Sequence, residues 1–105
     1  MTDLVVVLCT VPDEEVGASL ARTIVDERLA ACVNLVPGLR SIYSWKGEIQ
    51  DDREVLLIAK TRGSLFGVLR ERIVSLHPYD VPEIVALSAA DCHGPYLDWV
   101  HEVTG

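Results

Sequence analysis

Apolar positions along the chain recur with two different periods, and the order of these runs predicts the architecture. Leu4 to Cys9 is apolar without a break and rich in valine, as expected of a strand covered on both faces and therefore central in its sheet. Pro12 and Asp13 open an acidic turn, Asp13-Glu14-Glu15, suited to the positive end of a helix dipole. Val16, Leu20 and Ile24 then repeat at helical spacing, with Ala21, Val25 and Leu29 beside them, which predicts an amphipathic helix. Ala31 to Val36 is again apolar, Pro37-Gly38 interrupts, and Ile42 to Trp45 resumes a strand-like pattern before a turn at Lys46-Gly47-Glu48. We read one long strand with a bulge or bend at Pro37-Gly38. Gln50 to Glu54 is polar and belongs to the exposed part of a long hairpin, whose second strand returns to the sheet interior at Val55 to Ala59.

Leu65, Leu69, Ile73 and Leu76 predict a second helix, capped by Thr61 or Ser64, with Arg70, Glu71 and Arg72 toward water. It stops near His77, because Pro78 disfavours helical geometry in the residue before it. Ile84 to Leu87 is the last core strand, and Gly94 to Val103 is a short terminal helix with Pro95 in its first turn. The fold class is therefore α+β: a single domain over residues 1–105, a ferredoxin-like βαββαβ sandwich with an extended β-hairpin and a short C-terminal helix. In that topology the helices cover one face, and the first strand lies between the third and fourth and antiparallel to the fourth. Cys9 then meets the corner from His77 to Glu83.

Composition adds self-association to this picture. Half of the 105 residues are hydrophobic and the mean hydropathy is +0.28, more apolar surface than so small a domain covers by itself. The formal charge of -7 argues against a nucleic-acid partner, since phosphate neutralisation needs a positive field. The same field attracts cations or serves to keep a hydrophobic oligomer soluble. The N-terminus has no basic region, and its apolar run is too short for a membrane span, so neither export nor a membrane is expected. Cys9, Cys32 and Cys92 have no Cys-x-x-Cys spacing and sit among apolar or small residues as free buried thiols do, which fits a reducing cytoplasm.

Several residues are candidates for chemistry. Cys9 and His77, converging at one sheet end, are borderline-soft ligands suited to copper or zinc, with Asp80 and Asp13 as further donors. Alternatively Cys9 is a core residue and His77 a helix-terminal cation, or the two are a nucleophile and its base, for which no orienting third group is visible. Beside Tyr79, Asp80 and Glu83 offer a carboxylate pair for acid/base work or hard cations. The competing reading is an Asp that binds its own turn and a strand-opening Glu partnered by Lys60 or a neighbouring subunit's Arg. Tyr43 and Trp45 share one strand face and read as a protein interface before a cofactor platform. His93 belongs to a loop and His101 to the surface of the terminal helix, and no nucleotide-binding glycine pattern is present.

The segments "VVLCTVPDEE", "LAACVNLVPGLRSIYSWKGEIQ", "LLIAKT", "LHPYDVPEIVAL" and "YLDWV" stand in an order that resembles the CutA divalent-cation tolerance proteins over nearly the whole chain. The resemblance implies a ferredoxin-like subunit in a tight homotrimer, with long hairpins reaching across neighbours as in the PII signalling proteins. It also implies a role in tolerance to copper and other divalent metals, and some members bind copper. Together with the cytoplasm indicated by the cysteines, the expectation is a protein that is no enzyme and requires no cofactor, with copper or another divalent metal ion, and an unidentified small molecule or protein, as candidate partners. The family's copper-site cysteine falls on Cys9 and its histidine on His77. Where the bacterial pattern carries a second histidine, this chain has Leu76. The alternative reading is a PII-like binding trimer without a dedicated metal site, its cleft formed around Trp45, Lys60, Tyr79 and Glu83.

Overall fold

The computed structural model describes residues 2–105. Four strands and three α-helices follow the order β1 (Leu4–Val11), α1 (Glu14–Asp26), β2 (Cys32–Trp45), β3 (Glu48–Arg62), α2 (Phe66–Leu76), β4 (Ile84–Ser88) and α3 (Gly94–Thr104), with a single 3-10 turn at Gly63–Leu65 leading into α2. The sheet order is β2-β3-β1-β4, and every neighbouring pair is antiparallel. β1 is thus central and lies between β3 and β4, as its unbroken apolar run predicts.

Alternation along the strands separates two layers. Val5, Val7, Cys9 and Val11 on β1 join Val55, Leu57 and Ala59 on β3 beneath Leu20 and Ile24 of α1 and Leu69 and Ile73 of α2, forming the main core. α1 sits close to the sheet, and Gly17 permits this. A Cβ there would meet Val11 Cγ2 at 3.1 Å and Leu57 Cδ2 at 3.3 Å. The helix begins where Asp13 Oδ1 accepts the Val16 N–H at 2.8 Å, so this acid caps α1.

The opposite sheet face is covered only at one end. Leu4 points away from the main core and packs with Ala31 and with Val100 of α3. Arg62, directly opposite Leu4 in the register, donates to the Thr104 carbonyl at 2.7 Å. The expectation that helices cover one face holds for α1 and α2, whereas α3 lies on the other side. The rest of that face presents Val36, Val85 and Leu87 to solvent.

One further expectation is corrected. Thr61 does not cap α2. It is wholly buried at the end of β3 and its hydroxyl donates to the Leu29 carbonyl at 2.7 Å, while α2 has no side-chain cap at its start. β4 pairs with β1 at the edge of the sheet, as the expected topology requires, with Ile84 and Ala86 against the core and Val85 and Leu87 exposed.

The hairpin is long, as its sequence predicts. Pro37 and Gly38 form the interruption between Val36, opposite Leu56, and Leu39, opposite Glu54, so two residues of β2 face Val55 alone. Gly38 takes a left-handed φ of 82° there, the conformation a bulge of this kind asks of its glycine. Beyond it, seven pairs from Leu39–Glu54 to Trp45–Glu48 run past the last β1 pairing at Val11–Val55. They form a two-stranded arm roughly 24 Å long on a molecule 44 Å in its longest dimension. The arm closes through Lys46 and Gly47, both at positive φ, in the sense that matches strand twist.

Candidate functional site

α2 ends at His77, whose backbone is extended ahead of Pro78. The imidazole turns toward the end of β1, with Nε2 2.8 Å from the Thr10 carbonyl oxygen and Nδ1 accepting the Tyr79 N–H at 3.1 Å. A backbone N–H only donates, so Nδ1 is unprotonated and the proton sits on Nε2, where it donates to Thr10. The ring is 9% exposed and lies 4.7 Å, centroid to centroid, from the Tyr79 ring. His77 therefore fastens the corner to β1. It makes the turn bond expected of Asp80, which is exposed.

Cys9 reaches the same carbonyl from within the core. It is 2% exposed, stands opposite Leu57 and Ile84, and its thiol points to Thr10 O at 3.8 Å. The topology thus brings Cys9 and His77 together, as expected. Burial pushes the thiol pKa up to about 12, and the charges of Glu83 and Glu54 add to the effect. A metal ligand needs a thiolate and a free imidazole lone pair. Here the sulfur holds its proton and both ring nitrogens are engaged. Asp13 is occupied as a helix cap, and among the described residues no group of three or more His, Cys, Asp or Glu side chains is placed to hold a metal ion. The pair as it stands does not fit a preformed copper or zinc centre.

Beside the corner a cleft of about 830 Å³ opens between the base of the hairpin arm and residues 79–83. Tyr79 donates its phenol proton to Glu54 Oε2 at 2.8 Å, and Tyr43 donates to Asp52 Oδ2 at 2.7 Å. Trp45, Arg53, Asp80 and Glu83 also line it. Glu54 is 8% exposed, and it forms no ion pair among the described residues. Partial burial, and then the bond to Glu54, push the Tyr79 phenol well above the usual range, while the bond to Asp52 raises that of Tyr43. Tyr43 and Trp45 do share one face, and with Tyr79 and Glu83 they border one space.

Lys60 does not join them. It stands opposite Val6, four residues along β1 from Thr10 and so roughly 13 Å away along the strand, and its amine donates to Asn34 Oδ1. Glu83 is exposed, so it has no need of the buried cationic partner expected for it. His101 pairs with Asp3 at the surface at 2.9 Å, and His93 lies exposed just before α3.

The sequence model of the CutA1 divalent ion tolerance proteins matches residues 5–103. The chain belongs to this family. The divalent-cation tolerance protein CutA of Thermus thermophilus is 58% identical over 100 residues, which span 95% of this chain and 97% of that protein. A solved structure of a divalent cation tolerance protein (Cut A1) from Thermus thermophilus superposes with a TM-score of 0.94 at 57% identity, covering 97% of this chain and 99% of the other. The mouse protein CutA is 52% identical over 95 residues, 90% of this chain and 54% of that protein, so the chain spans about half of it. The α+β architecture with four antiparallel strands and three helices is thus that of CutA1 structures.

Within this CutA1 chain, sequence reasoning passed over Glu54 and Asp52, which it read as part of a solvated hairpin. No local signal points to Glu54, whose parity on β3 is that of Leu56 and Ile58 and not that of the core residues Val55, Leu57 and Ala59. No described helix is long and apolar enough to cross a membrane.

Proposed function

We propose that the protein serves the response to divalent metal ions as a cytoplasmic homotrimer of ferredoxin-like subunits. In this reading it is a PII-like binding protein, with no reaction of its own, whose ligand site is the cleft between the arm and the Tyr79 corner. The observation that carries the reading is the arm itself. A lone two-stranded ribbon is marginal in water, yet this one exposes Ile42 (65%), at the rim of the cleft, and Ile49 (76%) on one face and turns Tyr43 and Trp45 to the cleft on the other. Neighbouring subunits would cover the first pair and complete the cleft beside the second. A protonated, buried Cys9 is a poor nucleophile, which supports binding over catalysis.

A second reading keeps copper or another divalent metal on Cys9 and His77. It is favoured by the convergence of Sγ and Nε2 on one carbonyl, and it requires the thiol to lose its proton and the ring to release Thr10. Copper titration of the reduced protein separates the two. The cleft reading expects copper binding to be absent, or unchanged by Cys9→Ala and His77→Ala together. Stoichiometric binding that the double variant abolishes, with folding intact by circular dichroism, would replace it with the metal reading.

A further inference from the structure

Three aromatic rings and four carboxylates face one space at the corner. Tyr43, Trp45 and Tyr79 supply the rings, and Asp52, Glu54, Asp80 and Glu83 the carboxylates, against Arg53 as the single cation lining the cleft among the described residues. We propose that this cleft binds an organic ammonium ion, a cationic nitrogen carrying aliphatic or aromatic carbon. The inference rests on the reading of the cleft as the binding site and adds the chemistry of its ligand.

Charge excludes one class first. An anionic ligand would enter a wall whose carboxylates outnumber its cations four to one and would be repelled. A bare metal ion fits poorly for a different reason. No three donor side chains among the described residues are set for coordination, and aromatic faces offer a metal nothing to bind, while about 830 Å³ far exceeds what one ion needs. An ammonium ion with a carbon skeleton uses both parts of the wall. Its charge meets the carboxylates, and its polarised C–H or N–H groups lie against ring faces, where a desolvated cation gains most.

Glu54 is the strongest single indication. It is 8% exposed, its Oε2 is held by the Tyr79 phenol, and no Lys, Arg or His among the described residues neutralises it. A carboxylate so enclosed requires a cationic partner or several donors, and the fold supplies one phenol. The Trp45 ring also accepts a cation already, since Lys46 Nζ lies 5.7 Å from its centroid.

The test is calorimetric titration of benzyltrimethylammonium into the intact protein, with benzyl alcohol as the uncharged comparison and light scattering to record the oligomeric mass. We expect saturable binding with a dissociation constant at or below about 1 mM, and binding of the alcohol at least about tenfold weaker. Glu54→Gln should weaken the ammonium about tenfold and Trp45→Leu about three- to tenfold. Asp80→Asn, at an exposed position that leaves the fold undisturbed, should weaken it about twofold, and Trp99→Leu on α3 should have no effect. Absent binding, equal binding of the alcohol, or binding indifferent to Glu54→Gln and Asp80→Asn would each overturn the proposal. So would dissociation of the oligomer by Glu54→Gln without probe binding in the parent protein, which would mean that a second copy of the chain fills the cleft. A monomeric mass alone would refute the trimer reading and leave the probe result to decide the ligand class.

Discussion

Replacing Tyr79 with Phe removes one hydroxyl and tests whether the corner and the arm are held together through Glu54. The hydroxyl lies 2.8 Å from Glu54 Oε2, and a hydrogen bond to a charged group contributes about 1.5–3 kcal/mol. Glu54 is enclosed, but Tyr79 is 36% exposed, so water can reach the gap and the lower end of that range applies. Tyr79→Phe should therefore cost about 1.5 kcal/mol. Urea unfolding at one fixed protein concentration measures it, since mass action shifts the apparent stability of an oligomer. Glu54→Gln, and both substitutions together, complete a double-mutant cycle with an expected coupling of about 1 kcal/mol. Effects that add to within about 0.3 kcal/mol would show that the bond contributes nothing to holding the arm, and the account of the corner would be wrong.

Cys9 should resist alkylation. A thiol at about 12 instead of 9.0 has a thiolate fraction roughly a thousandfold lower at pH 8, so iodoacetamide should label it only after unfolding, and rapid labelling in the native protein would contradict its burial. The same thiol sets an alkaline limit. The unfolded chain releases this proton near pH 9.0 and the folded chain near 12, so the contribution is complete below pH 9.0 and declines by about 1.4 kcal/mol per pH unit above it. Unfolding midpoints from pH 8 to 11 should fall less steeply for Cys9→Ala, and parallel curves would refute this. Gly38→Ala forces a side chain into a left-handed φ of 82° and should cost about 1 kcal/mol, read as faster amide exchange along the arm; unchanged exchange would remove the bulge's role. Ile42→Asp with Ile49→Asp should split the assembly into monomers by light scattering, and an unaltered mass would show that this face of the arm lies outside the interface.

Most of the fold was legible because its signals are local. The central position of β1 follows from an unbroken apolar run, the bulge from Pro37-Gly38, and the end of α2 from Pro78. The errors concern relations between distant segments. Thr61 resembles a helix cap in sequence, but β3 continues through it and the Leu29 carbonyl takes its hydroxyl. Gly94 to Val103 reads correctly as a helix, but that it covers the far face depends on Val100 packing with Leu4 and Ala31.

The site divides in the same way. Topology alone brings Cys9 to His77, and both contact Thr10 O. That both ring nitrogens of His77 are taken depends on the corner's backbone path, which no spacing rule gives. Glu54 lies 25 residues from Tyr79 in sequence, inside a polar run that reads as solvated. Its enclosure follows from the corner closing over the base of the arm.

The free-standing arm is the feature on which the functional account depends, and its most direct test is the mass of the native protein in solution. Multi-angle light scattering at micromolar concentration should give the mass of three chains of 11.5 kDa each. A folded species with the mass of a single chain would contradict the account.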